Sequence, residues 1–215
     1  LASEYDSNYI LLANLRDNVS YYLQYPELIT YQDDRVKEEM SKANLKQMSA
    51  IEKYKNLSEE NQKILNEMLY LNKEEMDKEY FNGENPKLVL TGANPFYEEY
   101  TKEEFENILQ QVYSEYGNQY QILYKPHPKA EPNEEQQQML SKYNIKILPA
   151  KLPMEAIMFV YDDIKLGGFP STLYMSTDSS NTLFFFEENK EKLVEPLNLL
   201  YDELFNNAKF ITPTN

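Results

Sequence analysis

From Pro86 onward, short apolar runs alternate with segments of helical period, and that alternation limits the fold more than any other feature. PKLVLTG (86–92), YQILYK (120–125), IKIL (145–148), IKL (164–166) and NTLFFF (181–186) read as strands. Between them, TKEEFENILQQVYSEYG, NEEQQQMLSKY, PMEAIMFV and PSTLYMS read as helices or helix starts, and a last helix is expected over roughly 189–206. Thr101 and Glu104 have the spacing of a capping box, and Phe105, Ile108, Leu109, Val112, Tyr113 and Tyr116 form one apolar stripe. Strands joined through helices by short connections must run parallel, and a parallel sheet needs cover on both faces. The fold class is therefore α/β, a Rossmann-like parallel sheet with helices on both faces.

Upstream the pattern is different. NYILLAN (8–14) reads as a short buried strand, and residues 15–82 as a polar, acidic and mostly helical cover. Ser58 is placed to cap LSEENQKILNEML, and Asn72 with Glu75 marks a further helix start. The whole chain, 1–215, is expected to be one domain, with 85–215 supplying the βα repeats that carry the site.

Composition excludes several functions. A formal net charge of −15 lacks the basic face that nucleic-acid binding needs. With no cysteine and one histidine there is no disulfide framework, thiolate nucleophile or histidine-rich metal centre. No run approaches the roughly 20 apolar residues of a membrane-spanning helix. The opening LASEYDSNYI carries no signal-peptide pattern, and without an initiator methionine it reads as the start of a fragment.

In an open parallel sheet, ligands bind beyond the carboxyl ends of the strands. The unusual residues of this chain fall there. Thr91-Gly92 closes one strand, Lys125-Pro126-His127-Pro128 follows the next, Glu155 opens the helix after IKIL, and Gly167-Gly168-Phe169-Pro170-Ser171-Thr172 follows IKL. Three of the five glycines lie at these ends. The GGFPST segment would place the Ser171 and Thr172 hydroxyls beside free helix N–H groups, a phosphate site, although an ordinary N-cap explains the same residues. Glu155 could complement a helix dipole or accept ribose hydroxyls. His127, flanked by two prolines, could donate to a phosphate oxygen or stand in a plain surface turn.

The succession KPHP, LPAKLPMEAIM, LGGFPSTLYMS resembles the C-terminal half of the bacterial single-chain, multifunctional sialyltransferases, strongly over 87–176 and weakly elsewhere. The resemblance implies a GT-B architecture in which this chain is the second, donor-binding domain. It implies CMP-sialic acid as donor, a galactoside-type acceptor and no metal. His127 would contact the CMP phosphate and stabilise it as leaving group, and Ser171 and Thr172 would bind the same phosphate. Glu155 would hold the ribose. Lys125, Pro149 and Ala150 would frame the cytosine, Gly92 would approach the ligand closely, and Phe96 would fall near the acceptor.

The family's aspartate base, in an Asp-Asp-Gly-Ser type motif, has no counterpart: Asp33-Asp34 and Asp162-Asp163 have the wrong successors. The expectation is a nucleotide-binding half whose N-terminal catalytic domain is missing and which is inactive alone, cytoplasmic or peripheral to a membrane. The alternatives are a GT-B transferase or epimerase using a uridine nucleotide sugar, and a non-catalytic nucleotide- or carbohydrate-binding domain.

Overall fold

The structure, a computed structural model, describes residues 20–28, 38, 41, 42, 44–161 and 163–214. They divide into two compact units, Leu1–Lys53 and Tyr54–Asn215. The strand expected at 8–14 lies outside the described residues.

In the first unit, β1 (Ser20–Leu23) and β2 (Asn44–Gln47) pair in parallel, Ser20 opposite Asn44. This corrects the helical reading of the start of 15–82. The run SYYL is rich in aromatic residues that pack well on a pleated strand, and that local preference outweighs the acidic composition around it. A 3₁₀ turn (Pro26–Leu28) follows β1, residues 38 and 41 are helical, and α1 runs over Ala50–Lys55.

In the second unit, α2 (Glu59–Met68) and α3 (Lys73–Glu79) start where expected, because Ser58 accepts from the Asn61 N–H and Asn72 from the Glu75 N–H. The βα repeats follow: β3 (Lys87–Thr91), α4 (Lys102–Tyr116), β4 (Gln121–Lys125), α5 (Glu134–Lys142), β5 (Lys146–Ile147), α6 (Met154–Val160), β6 (Lys165–Gly168) and β7 (Thr182–Phe185). The Thr101/Glu104 capping box is present, and α5 carries a second one between Asn133 and Gln136. Five of the six stripe residues of α4 are buried. The sixth, Tyr113, is 46% exposed and leans its ring on Tyr143 instead. An amphipathic ring at the edge of a stripe can do this without leaving the apolar surface.

Two expected helices are shorter than their patterns. PSTLYMS forms a five-residue 3₁₀ turn, Thr172–Ser176. The 189–206 stretch breaks into a 3₁₀ turn (Lys190–Lys192), α7 (Leu197–Leu200) and a π turn (Tyr201–Phe205). Pro196 explains the break, since it has no N–H and pushes its predecessor out of helical geometry. A strand not foreseen, β8 (Lys209–Phe210), closes the edge.

The six strands of this sheet run parallel in the order β5-β4-β3-β6-β7-β8. Chain order reverses between β3 and β6, the topological switch point of a doubly wound sheet. One face of the sheet, Leu88, Leu90, Ile122, Tyr124, Phe184 and Phe186, packs on the stripes of α4 and α5. Phe105 is fully buried here, a burial worth about 2–3 kcal/mol. On the opposite face Tyr174 meets Phe185, which meets Phe205. Both faces are thus covered, as a parallel sheet requires, and only the strand ends remain to present polar groups.

Candidate functional site

The carboxyl rim is built around Thr91, the last residue of β3 at the switch point. Its buried hydroxyl lies 2.8 Å from the Phe169 carbonyl, 3.2 Å from the Gly167 carbonyl and 2.7 Å from the Tyr174 hydroxyl. The Phe169 N–H donates back to the Thr91 carbonyl at 3.0 Å. This knot leaves no room for a side chain at Gly168. A Cβ there would stand 2.6 Å from both the nitrogen and the carbonyl oxygen of Thr91, and its φ of +120° is a conformation that side chains avoid. Gly92 is close-packed in another way, because a Cβ would run into the Tyr124 hydroxyl. That hydroxyl is buried without a hydrogen-bond partner among the described residues, and burial pushes its titration far up.

After β4, the Lys125 side chain turns inward. It is 6% exposed and donates to the carbonyls of Ala150 (2.9 Å) and Pro126 (3.2 Å). Burial lowers its pKa to about 8, against a smaller opposing pull from the Glu155 carboxylate. His127 behaves oppositely. It is half-buried, and its Nδ1 accepts from the Lys129 N–H at 3.2 Å. In the neutral ring that bond places the proton on Nε2. The loop closes with the Ala130 N–H on the His127 carbonyl.

Pro149 and Ala150 follow β5, Ala150 buried and Pro149 half-buried. Glu155 is exposed in the first turn of α6, near enough to Lys125 for their charges to interact. Ser171 Oγ accepts from the Leu173 N–H at 3.3 Å, capping its 3₁₀ turn, and Thr172 is exposed beside it. The hydroxyl proton of Ser171 remains available to an outside acceptor.

The rim thus gathers Gly92, Lys125, His127, Pro149, Ala150, Glu155, Ser171 and Thr172 at the ends of β3, β4, β5 and β6. Phe96 is not on its surface. At 5% exposure it packs among Tyr97, Phe105 and Tyr124, so its ring is core. Sequence reasoning missed Glu98, an exposed carboxylate at φ +52° whose charge interacts with His127. Burial, Glu99 and Glu187 raise its pKa, and His127 lowers it. Nothing in PFYEEY separates Glu98 from its neighbour Glu99, so only the fold could reveal it. A cleft of about 740 Å³ lies elsewhere: it runs from Tyr54 through Tyr70 and Lys73 to Val160, and no rim residue lines it.

A model of the Alpha-2,8-polysialyltransferase (POLYST) family matches residues 8–178. The chain belongs to that family. No curated protein matches it in sequence. Among solved structures, the α/β-galactoside α-2,3-sialyltransferase of Photobacterium phosphoreum is 16% identical, over 98% of this chain and 65% of its own, with a TM-score of 0.63. The GT-B domain of a Photobacterium damselae sialyltransferase is 18% identical over 90% of this chain and 55% of its own, with a TM-score of 0.64. A 2,6-sialyltransferase of Photobacterium sp. JT-ISH-224, solved with CMP and lactose, is 18% identical over 82% of this chain and 40% of its own, with a TM-score of 0.55.

At these identities the likeness shows the fold, that of GT-B sialyltransferase domains. This polysialyltransferase-family chain spans about two thirds or less of those structures' lengths. Among the described residues, no helix is long and apolar enough to cross a membrane, and no group of three or more His, Cys, Asp or Glu could hold a metal ion.

Proposed function

We propose that the carboxyl rim binds the nucleotide of CMP-sialic acid and that the chain is the donor-binding part of an inverting sialyltransferase. The observation that carries this reading is the fixed imidazole of His127. With Nδ1 held by the Lys129 N–H, Nε2–H is the free donor at the end of a strand next to the switch point. The sialyltransferase fold and family support it.

In this reading Nε2–H of His127 and the hydroxyls of Ser171 and Thr172 meet the phosphate. Glu155 accepts the ribose hydroxyls, and the Pro149–Ala150 backbone lines the cytosine. Gly92 keeps the end of β3 free of a side chain. Phe96, being core, can shape an acceptor pocket only from beneath. The reaction forms a C–O bond from the acceptor oxygen to the anomeric carbon of sialic acid and breaks the bond from that carbon to the phosphate oxygen of CMP. Negative charge grows on the departing phosphate, and donors already oriented around it lower the barrier without reorganising. The acceptor's proton goes to a base, which we assign to a further GT-B domain rather than to this rim. No metal has a role, because these donors take up the phosphate charge.

The acceptor is open to two readings. Lactose in the Photobacterium sp. complex favours a galactoside. The α-2,8 linkage in the family's description favours a sialic acid end.

Calorimetric titration with CMP, UMP and UDP tests the donor reading. CMP should bind selectively, unaffected by a chelator, and His127→Ala should cost about 1.5–3 kcal/mol of affinity, the value of a hydrogen bond to a charged group. A preference for uridine nucleotides, or a His127→Ala variant that binds CMP as wild type does, would overturn it.

A further inference from the structure

We propose that Lys125 is a positioning residue whose buried side chain ties the His127 loop to the Pro149–Ala150 loop and holds a positive charge beneath the rim for an anionic ligand. The inference rests on the nucleotide-binding reading of the rim for its second half and on geometry alone for its first.

The geometry is specific. Lys125 ends β4, and its backbone leads directly into Pro126 and His127. Its Nζ reaches the Pro126 carbonyl at 3.2 Å on its own loop and the Ala150 carbonyl at 2.9 Å on the loop after β5. Beyond the strand register, the Leu148 N–H on the Tyr124 carbonyl is the last backbone bond between these two strand ends among the described residues. The lysine therefore extends the β4–β5 connection past the point where the ladder stops. Among the described residues no carboxylate hydrogen-bonds to it, so only carbonyls bond the buried ammonium while Glu155 acts on it from a distance, an arrangement that costs stability. Lysine is rarely chosen for such a position when an apolar side chain would fill it.

The charges around Lys125 come from few places. Glu155 faces it from α6, and His127 lies on its own loop. On β3 its register partner is Thr91, hydrogen-bonded to the Tyr174 phenol, whose ionisation burial pushes out of reach. Burial sets the lysine's pKa near 8. An anion arriving at the rim favours the charged ammonium and raises that pKa, so binding near pH 8 must take up protons. Loss of the proton does not undo the tie, since a neutral amine keeps two N–H donors for two carbonyls.

The experiment has two arms on the full chain. Amide hydrogen exchange reads the tie. In Lys125→Met, an apolar replacement of similar shape, the Ala130 and Leu152 amides, bonded to the His127 and Pro149 carbonyls, should exchange at least tenfold faster while the β3 and α4 amides keep their wild-type rates. Unchanged rates at Ala130 and Leu152, or a uniform acceleration across the sheet, would overturn the tie.

Calorimetry with CMP at pH 8, in buffers of different ionisation enthalpy, reads the charge. Wild type should take up a sizeable fraction of a proton per CMP. Lys125→Arg, which stays charged, should bind CMP within a few-fold of wild type and lose that part of the uptake. Lys125→Met should bind at least tenfold more weakly. Equal proton uptake by wild type and Lys125→Arg would assign the proton to His127 and sink the charge role. If wild type binds no CMP at all, the proposed function fails with the charge role, and the exchange rates still decide the tie.

Discussion

The KPHP loop and the GGFPS loop leave the same rim, one after β4 and the other after β6, and they spend their polar atoms in opposite ways. In the second loop nearly every group near the switch point is turned inward. Thr91 bonds the Gly167 and Phe169 carbonyls and the Tyr174 hydroxyl, Phe169 bonds back to Thr91, and Ser171 caps its own turn. In the first loop the lysine does the internal work and the histidine is left facing out, one nitrogen satisfied and one free. One loop is mainly scaffold and the other mainly presents a donor. A rim needs both, because a donor is useful only if the surface around it does not move.

If that contrast is right, the scaffold loop should be intolerant of change and the presenting loop tolerant at its histidine. The largest effect is expected at Gly168. Alanine there combines a strained positive φ with overlap against Thr91 backbone atoms that cannot move without breaking β3. Strain and overpacking are each worth about 1–3 kcal/mol, so Gly168→Ala should lose about 3 kcal/mol or more in urea denaturation. A loss under about 1 kcal/mol, within the lower bound of either term alone, would mean that the loop is not rigid.

Thr91→Val comes next. Valine keeps the shape and removes the hydroxyl, leaving the Phe169 and Gly167 carbonyls and the Tyr174 phenol without their shared partner. Each orphaned buried group costs about 1–3 kcal/mol, and a carbonyl that also holds a backbone bond costs less, so about 2 kcal/mol is expected. The Tyr174 side chain should also loosen against Phe185, which a near-ultraviolet circular dichroism spectrum would register. A Thr91→Val variant as stable as wild type would move the scaffold role away from this knot.

This difference between the loops was only partly legible in the sequence. The strands and the capped helices were, because period, Ser, Thr and Asn caps and short connections all state local physics that the fold then obeys. The placing of Lys125, His127, Glu155 and Ser171 at strand ends followed from the same alternation. Direction did not. Nothing in YKPHP says that the lysine points in and the histidine out, since that depends on Ala150 arriving from 25 residues away. Phe96 was expected beside an acceptor and is core, because its neighbours Phe105 and Tyr124 come from α4 and β4. The helix over 189–206 failed at Pro196, whose effect a purely periodic reading passes over. The parallel pair β1–β2 is long-range by nature: Ser20 meets Asn44 across a span whose composition suggests helix.

The smallest effect is the most discriminating. His127→Ala removes a half-buried ring whose Nδ1 bond is to the exposed Lys129 N–H, and that amide can turn to water. The loop keeps its Ala130 to His127 backbone bond whatever the side chain. An exposed bond of this kind sits at the low end of the range for a hydrogen bond, about 0.5 kcal/mol, so the urea midpoint should scarcely move. Paired with the loss of CMP affinity expected of the same variant, an unmoved midpoint separates presenting from supporting in one protein. If His127→Ala instead destabilised the chain as much as Thr91→Val, the imidazole would be part of the scaffold, and the contrast between the two loops would collapse into a single rigid rim.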